Sequence, residues 1–201
     1  MALRAGIGDH AVHLCVDMQR LFSMDGPWPT PWLERVLPVV AKVVETKPER
    51  TVFTRFITPT TAEDMPGKWR EYYCKWRDVT QDRIDRALLD LVPTLQKFAP
   101  PAPIFNKFVY SAFANGDVHR YLRERRITDL IVTGSETDVC VLATVLGAVD
   151  LGYRVVVVRD GVCSTSDKTH EAMIDMYSSR FSVQIELAEA EEVIDAWRLC
   201  R

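Results

Sequence analysis

Residues 130–159 read LIVTGSETDVCVLATVLGAVDLGYRVVVVR, and this stretch decides the fold. Leu130 to Thr133 is a short apolar run that breaks at Gly134. Val139 to Leu151 is helical in composition, and Arg154 to Arg159 returns to β-branched residues. A strand, a helix and a strand in such close succession form a unit whose two strands lie parallel. Both strands are apolar throughout instead of alternating, as strands covered on both faces are.

The same alternation extends outward in both directions. Upstream, Val12 to Val16 is a first strand, followed by the turn-rich SMDGPWPTP and a helix from about Trp32 to Glu45. Thr51 to Ile57 is a second strand, residues 58–80 are aromatic and irregular, and Gln81 to Lys97 contains helix. Ile104 to Phe108 is a third strand and Asp117 to Arg126 a helix. Downstream, Ser166 or Asp167 caps a helix reaching Arg180, Val183 to Glu186 is a sixth strand, and a helix near Ala190 to Leu199 closes the chain. Pro100, Pro101 and Pro103 mark a short connection. The expectation is an α/β fold: one three-layer domain over residues 1–201, its core at about 12–187. Its six-stranded, mostly parallel sheet carries helices on both faces.

Composition narrows the function classes. The chain has 201 residues, 47% of them hydrophobic and 26% charged, with a formal net charge of -3. That balance gives no electrostatic reason to expect nucleic acid or an anionic membrane as partner. Arg120, Arg123, Arg125 and Arg126 share a helical stretch with Glu124 and read as a solvated face. No segment approaches the roughly 20 apolar residues of a membrane span, and the N-terminus lacks a sustained apolar run. A cytoplasmic protein with a small-molecule partner is expected. The five cysteines (15, 74, 140, 163 and 200) form no CxxC pair and read as reduced thiols. The four histidines lack HxH, HxxxH and HExxH spacing, so no metal and no cofactor are expected.

In an open parallel sheet, ligands bind beyond the carboxyl ends of the strands. Asp17 follows the first strand, Lys107 stands near the end of the third, and Cys140 lies just beyond the fourth. Singly, each has an ordinary explanation as turn residue, solvated cation or small core residue. Together they make a coherent set. Lys107 and a helix N-terminus would favour the Cys140 thiolate, while Asp17 would take the thiol proton and later return it. Gly134 would let the chain turn sharply and let backbone N–H groups approach an oxyanion.

At these residues the sequence resembles the isochorismatase-like cysteine hydrolases. VDMQRLF (16–22), NKFVYSAF (106–113) and the long segment GSETDVCVLATVLGAVDLGYRVVVVRDGVCS (134–164) look like the family's three signature segments. The resemblance implies a six-stranded parallel sheet, assembly as a dimer or tetramer, and a catalytic triad of Asp17, Lys107 and Cys140. It also implies a cis peptide between Ser135 and Glu136, with the backbone N–H groups of Glu136 and Cys140 as oxyanion hole. Nicotinamidases of this superfamily hold a metal with an Asp-x-His motif after the second strand. Here that place reads TRFITPTT, which speaks against both metal and nicotinamide. Retention of Cys140 favours hydrolysis of a C–N bond in a small amide, carbamoyl or ureido compound through a thioester. The alternatives are a vinyl-ether hydrolase of isochorismatase type and a silent small-molecule-binding oligomer.

Other residues admit two readings each. Arg55 either binds a substrate carboxylate or makes a surface ion pair. Trp69, Tyr72, Tyr73 and Trp76 fit a helix packed on the core or on another subunit better than a lid. Phe22, Trp69 and Tyr110 are candidates to line the pocket. His170 reads as a structural helix residue, and Cys15, Cys74, Cys163 and Cys200 as structural or incidental. A serine hydrolase using Ser135, Asp160 and His170 has the right chain order but lacks G-x-S-x-G. Gly6-x-Gly8 precedes the first strand, so it is no dinucleotide fingerprint.

Overall fold

β1 (Ala11–Val16) is the strand from which the sheet grows, with β2 (Thr51–Phe56) on one side and β4 (Asp129–Ser135) on the other. The computed structural model describes residues 3–199, and Cys200 lies outside the described residues. With β3 (Ile104–Lys107), β5 (Arg154–Cys163) and β6 (Ile185–Ala188) the order is β3-β2-β1-β4-β5-β6, and every pairing is parallel. The chain winds outward from β1 to β3, starts again at β4 and winds the other way. The reversal falls between β1 and β4, where their carboxyl ends open a crevice.

Seven α-helices accompany the strands among the described residues: α1 (Leu33–Thr46), α2 (Gly67–Lys75), α3 (Pro93–Gln96), α4 (Asp117–Glu124), α5 (Leu142–Asp150), α6 (Asp167–Ser179) and α7 (Ala190–Arg198). Side-chain alternation along the strands divides the interior. Leu130, Val132, Val155 and Val157 enter the larger core, shared with Leu122 of α4, Val145 of α5 and Tyr177 of α6. Ile131, Val156 and Val158 enter the smaller one, with Val43 of α1 and Val193 and Trp197 of α7. Each such side chain, taken fully out of water, contributes about 1.5–3 kcal/mol. No described helix is long and apolar enough to cross a membrane. Of the arginine cluster, Arg120 pairs with Asp117, and Arg125 lies over the Tyr121 ring at 3.7 Å, both at the surface.

Several boundaries differ from the sequence reading, each for a local reason. Helix is almost absent from 81–97: Asp85 caps a 3-10 turn at Arg86–Leu89, Leu91 bridges to Gln19, and Pro93 starts a single α turn. Residues 58–80 do contain helix, α2. β6 begins two residues late, because Val183 stands 81% exposed in the turn that closes α6. β5 runs past Arg159 to Cys163, since Val162 and Cys163 continue the ladder with Gly134 and Ser135.

The last difference matters most for the site. β4 does not break at Gly134; it pairs there with Val16 on one side and Val162 on the other. Gly134 holds φ +122°, and a Cβ at this position would lie 2.0 Å from the Val16 carbonyl oxygen. The glycine is thus required by the approach of β4 to β1 just before Asp17, and not by a turn. We predict that Gly134→Ala lowers unfolding free energy by about 3 kcal/mol or more in urea titrations. A loss under about 0.5 kcal/mol would contradict this account.

Candidate active site

Three strand ends deliver three side chains to one point. Asp17, at φ +51°, turns directly off β1. Its N–H donates to the Thr54 carbonyl at 3.2 Å, and the Thr54 hydroxyl donates to its Oδ1 at 2.7 Å. Lys107, the last residue of β3, extends across β2 with its Nζ 4.8 Å from the Phe56 ring centroid. The ammonium then reaches Asp17 Oδ2 at 2.6 Å and donates to Cys140 Sγ at 3.3 Å and to the Val109 carbonyl at 3.2 Å. Asp17, Lys107 and Cys140 are 0%, 3% and 6% exposed. The three residues singled out in the sequence are therefore in mutual contact, with Lys107 between the other two.

The loop carrying Cys140 is tightly tied. Thr137–Val141 forms a π-helical turn ahead of α5, in which the Glu136 carbonyl accepts from Val139 and Val141 at 3.1 and 3.0 Å. His170 of α6 bonds the Thr137 hydroxyl at 2.9 Å, Ser164 donates to Asp138, and Tyr177 reaches the Thr137 carbonyl. The peptide between Ser135 and Glu136 is cis. His170 is thus a strut for this turn, and burial holds its pKa below the ordinary value against nearby acids.

Electrostatics departs from expectation at the sulfur. Burial pushes the Cys140 thiol up, the Asp17 carboxylate adds to that, and Lys107 opposes both without prevailing. The expectation that Lys107 and a helix N-terminus favour the thiolate is thus opposed by burial and Asp17, which hold the thiol above its ordinary value. Burial by itself would pull Lys107 down, but the Asp17 carboxylate foremost outweighs it and its pKa is raised. Cys15 and Cys163, pushed up to about 12 by burial, are core residues. His13, between the Thr51 and Thr133 hydroxyls inside the sheet, is lowered to about 3 by burial and stays neutral.

Above Cys140 lies a cavity of about 400 Å³ with aromatic walls: Phe22, Trp28, Phe56, Tyr72, Trp76 and Tyr110. Trp28 organises them, with four other rings within 6.3 Å of its centroid. Glu136 and Thr165 supply polar atoms to the lining. Of the expected lining residues, Phe22 and Tyr110 are in place. Arg55 is not: it points away, paired with Asp90 at 2.6 Å and Asn106 at 3.0 Å. Trp69 is one layer back, against Tyr72, Tyr73 and Tyr110 beside a separate shallow depression. α2 therefore packs on the core through Tyr73 while Tyr72, together with Trp76 just past its end, walls the cavity.

Several contributors escaped the sequence reading. Thr54 orients Asp17, and buried Gln19 ties β1 to β2 by exchanging bonds with Phe56 and donating to the Leu89 carbonyl. Trp28 sat in a segment read only as turns; a tryptophan among prolines was the available signal. Ser135, Asp160 and His170 do not meet: Asp160 accepts from the Ala190 N–H and His170 is engaged with Thr137. No group of three His, Cys, Asp or Glu side chains able to share an ion exists among the described residues. After β2 stand Ile57, Thr58, Pro59 and Thr60, so the residues present do not fit a nicotinamidase-type metal.

Comparison with known proteins adds four findings. The family model for the isochorismatase domain matches residues 11–189. An uncharacterized isochorismatase family protein of Bacillus subtilis (strain 168) is 35% identical over 97 residues, 47% of this chain and 53% of that protein. The nicotinamidase of Escherichia coli (strain K12) is 48% identical over 58 residues, 26% of this chain and 27% of that one. The matches thus span about half or less of these relatives' lengths. A cysteine hydrolase structure from Pseudomonas syringae pv. phaseolicola 1448A superposes with a TM-score of 0.83 at 20% identity, covering 98% of this chain and 96% of the other.

The raised thiol generates a labelling order. In the native protein iodoacetamide should modify exposed Cys74 before Cys140, with Cys15 and Cys163 silent until unfolding. Cys140 alkylation, followed by peptide mass mapping, should climb about ten-fold per unit between about pH 7 and 9, because only the thiolate reacts. A rate already flat near neutrality would mean a resting thiolate and contradict this electrostatic picture.

Proposed function

The chain belongs to the isochorismatase family, whose domain spans residues 11–189 of it, and from that premise we propose a hydrolase that cleaves the C–N bond of a small amide, carbamoyl or ureido compound. The observation that carries this reading is the shared ammonium of Lys107, 2.6 Å from Asp17 and 3.3 Å from the Cys140 sulfur beneath a substrate-sized cavity. The sequence match to a protein named nicotinamidase favours an amide over a vinyl ether.

In the proposed reaction Asp17 takes the thiol proton as the Cys140 sulfur attacks the carbonyl carbon. A neutral thiol suits this order, since the nucleophile forms only as its proton moves. The oxygen of the tetrahedral intermediate carries the displaced electron pair and meets the backbone N–H groups of Glu136 and Cys140. Collapse breaks the C–N bond; the nitrogen leaves with the proton returned by Asp17, and a thioester remains. Water then attacks the thioester and gives its proton to Asp17. The C–S bond breaks, the acid departs, and Asp17 returns the proton to sulfur. Lys107 holds Asp17 in place and offsets negative charge on the sulfur throughout. No step needs a metal.

Cys140→Ala and Asp17→Asn should each reduce ammonia release from responsive amides by about 10³-fold or more, with the circular dichroism spectrum unchanged. Lys107→Met should be equally inactive, and also less stable by about 3–5 kcal/mol, because it leaves a buried carboxylate unpaired. Chelators should leave the wild-type rate untouched. Near-normal turnover in Cys140→Ala would move the assignment to direct protonation of a vinyl ether; loss of activity with chelator and its return with zinc would refute the metal-free mechanism.

A further inference from the structure

The proposed reaction uses the floor of the cavity and leaves its walls unexplained. Those walls include six aromatic rings and, as the one charged side chain, the carboxylate of Glu136. Glu136 is fixed in orientation: its Oε1 accepts from the Thr30 hydroxyl at 3.2 Å and from the Thr165 hydroxyl. Oε2 takes part in no hydrogen bond among the described residues, and the ion pairs of those residues leave Glu136 out. A carboxylate held by two hydroxyls, with one oxygen free and no cation of its own, faces the same space as the rings.

The remaining charges do not change that balance. Lys107 and Asp17 cancel at the floor, and Cys140 beside them is a thiol. Burial foremost, with Glu136 among the lesser causes, pushes the Tyr72 and Tyr110 hydroxyls up, so both rings stay neutral. Arg55, the one arginine the sequence offered for a substrate carboxylate, is outside and paired with Asp90. Among the described residues, the cavity lining therefore offers no free cation to an anionic substrate and presents a carboxylate within an aromatic enclosure.

Aromatic faces carry negative potential and attract cations, the more strongly as water is excluded. A carboxylate beside them completes the arrangement that receives an ammonium group. We propose that the substrate bears a positively charged nitrogen, an ammonium or alkylammonium group, in addition to the scissile C–N bond, and that Glu136 with Trp28, Tyr72 and Trp76 receives it. This rests on the hydrolase reading of the same site, and it makes Glu136 the specificity-determining side chain. Glu136 and Cys140 line the same cavity, so the cation and the scissile carbonyl belong to one small molecule. Among small amides, those with a cationic head exclude themselves from ordinary apolar pockets and are selected by this one.

Two matched pairs of probes test it on the full chain. Choline and its neutral carbon isostere, in which a tert-butyl group replaces trimethylammonium, are titrated calorimetrically. Betaine amide and its isostere tert-butylacetamide are assayed for ammonia release. The wild type should bind choline about ten-fold tighter than the isostere and should show a similar preference in kcat/KM. Glu136→Gln, which keeps the shape and the Thr30 and Thr165 bonds, should reduce both preference ratios about ten-fold, and Trp76→Leu should reduce them several-fold. Equal binding of choline and its isostere, or a ratio that survives Glu136→Gln, overturns the proposal, as does tert-butylacetamide cleaved measurably and at least as fast as betaine amide. Failure of the hydrolase reading has another signature: neither amide releases ammonia, while the choline preference and its dependence on Glu136 remain.

Discussion

The buried ammonium of Lys107 is the constraint around which the rest is arranged. Removing an ammonium from water costs several kcal/mol unless a carboxylate and further acceptors replace the lost hydration. Asp17 at 2.6 Å, the Val109 carbonyl and the Cys140 sulfur provide that replacement. Asp17 must then be placed with equal care, and Thr54 does so from the neighbouring strand. The pair also sets the sulfur's behaviour. Lys107 lowers the thiol, yet burial and Asp17 outweigh it and hold it above its ordinary value.

This arrangement depends on sheet topology. Lys107 lies two strands from Asp17, at about 4.8 Å per strand, and its long side chain bridges the interval over Phe56. Cys140 arrives from β4, on the opposite side of β1. Only the reversal of winding between β1 and β4 leaves a gap for the loop that holds it. Gly134 lets the two strands run close up to the site, since any side chain there would collide with the Val16 carbonyl. The scaffold is thus strictest immediately beneath Asp17.

The walls obey a different logic. Half of their rings come from segments outside regular elements: Trp28 from the loop after β1, Trp76 from just past the end of α2, Tyr110 from the loop after β3. Such loops leave the sheet unchanged when their residues vary, so they are where a common scaffold acquires its own substrate. Trp28 does for the walls what Lys107 does for the floor, setting four neighbouring rings around itself.

The alternation of strand and helix, the parallel sheet and the positions of Asp17, Lys107 and Cys140 at strand ends were all legible in the sequence by itself. Each is written in local periodicity or in a short motif, and neighbouring residues in the chain suffice to express it. Where turn chemistry competes with weak apolar pattern, as at 81–97 and at Val183, the local signal misled. The protonation of Cys140, the outward turn of Arg55, the withdrawal of Trp69 and the closeness of Gly134 to Val16 were decided only in three dimensions. Desolvation and charge at a buried atom sum over every group that folding brings near it. Residues 28, 72, 76, 110 and 136 come together through the sheet's topology, and no window of sequence contains them all.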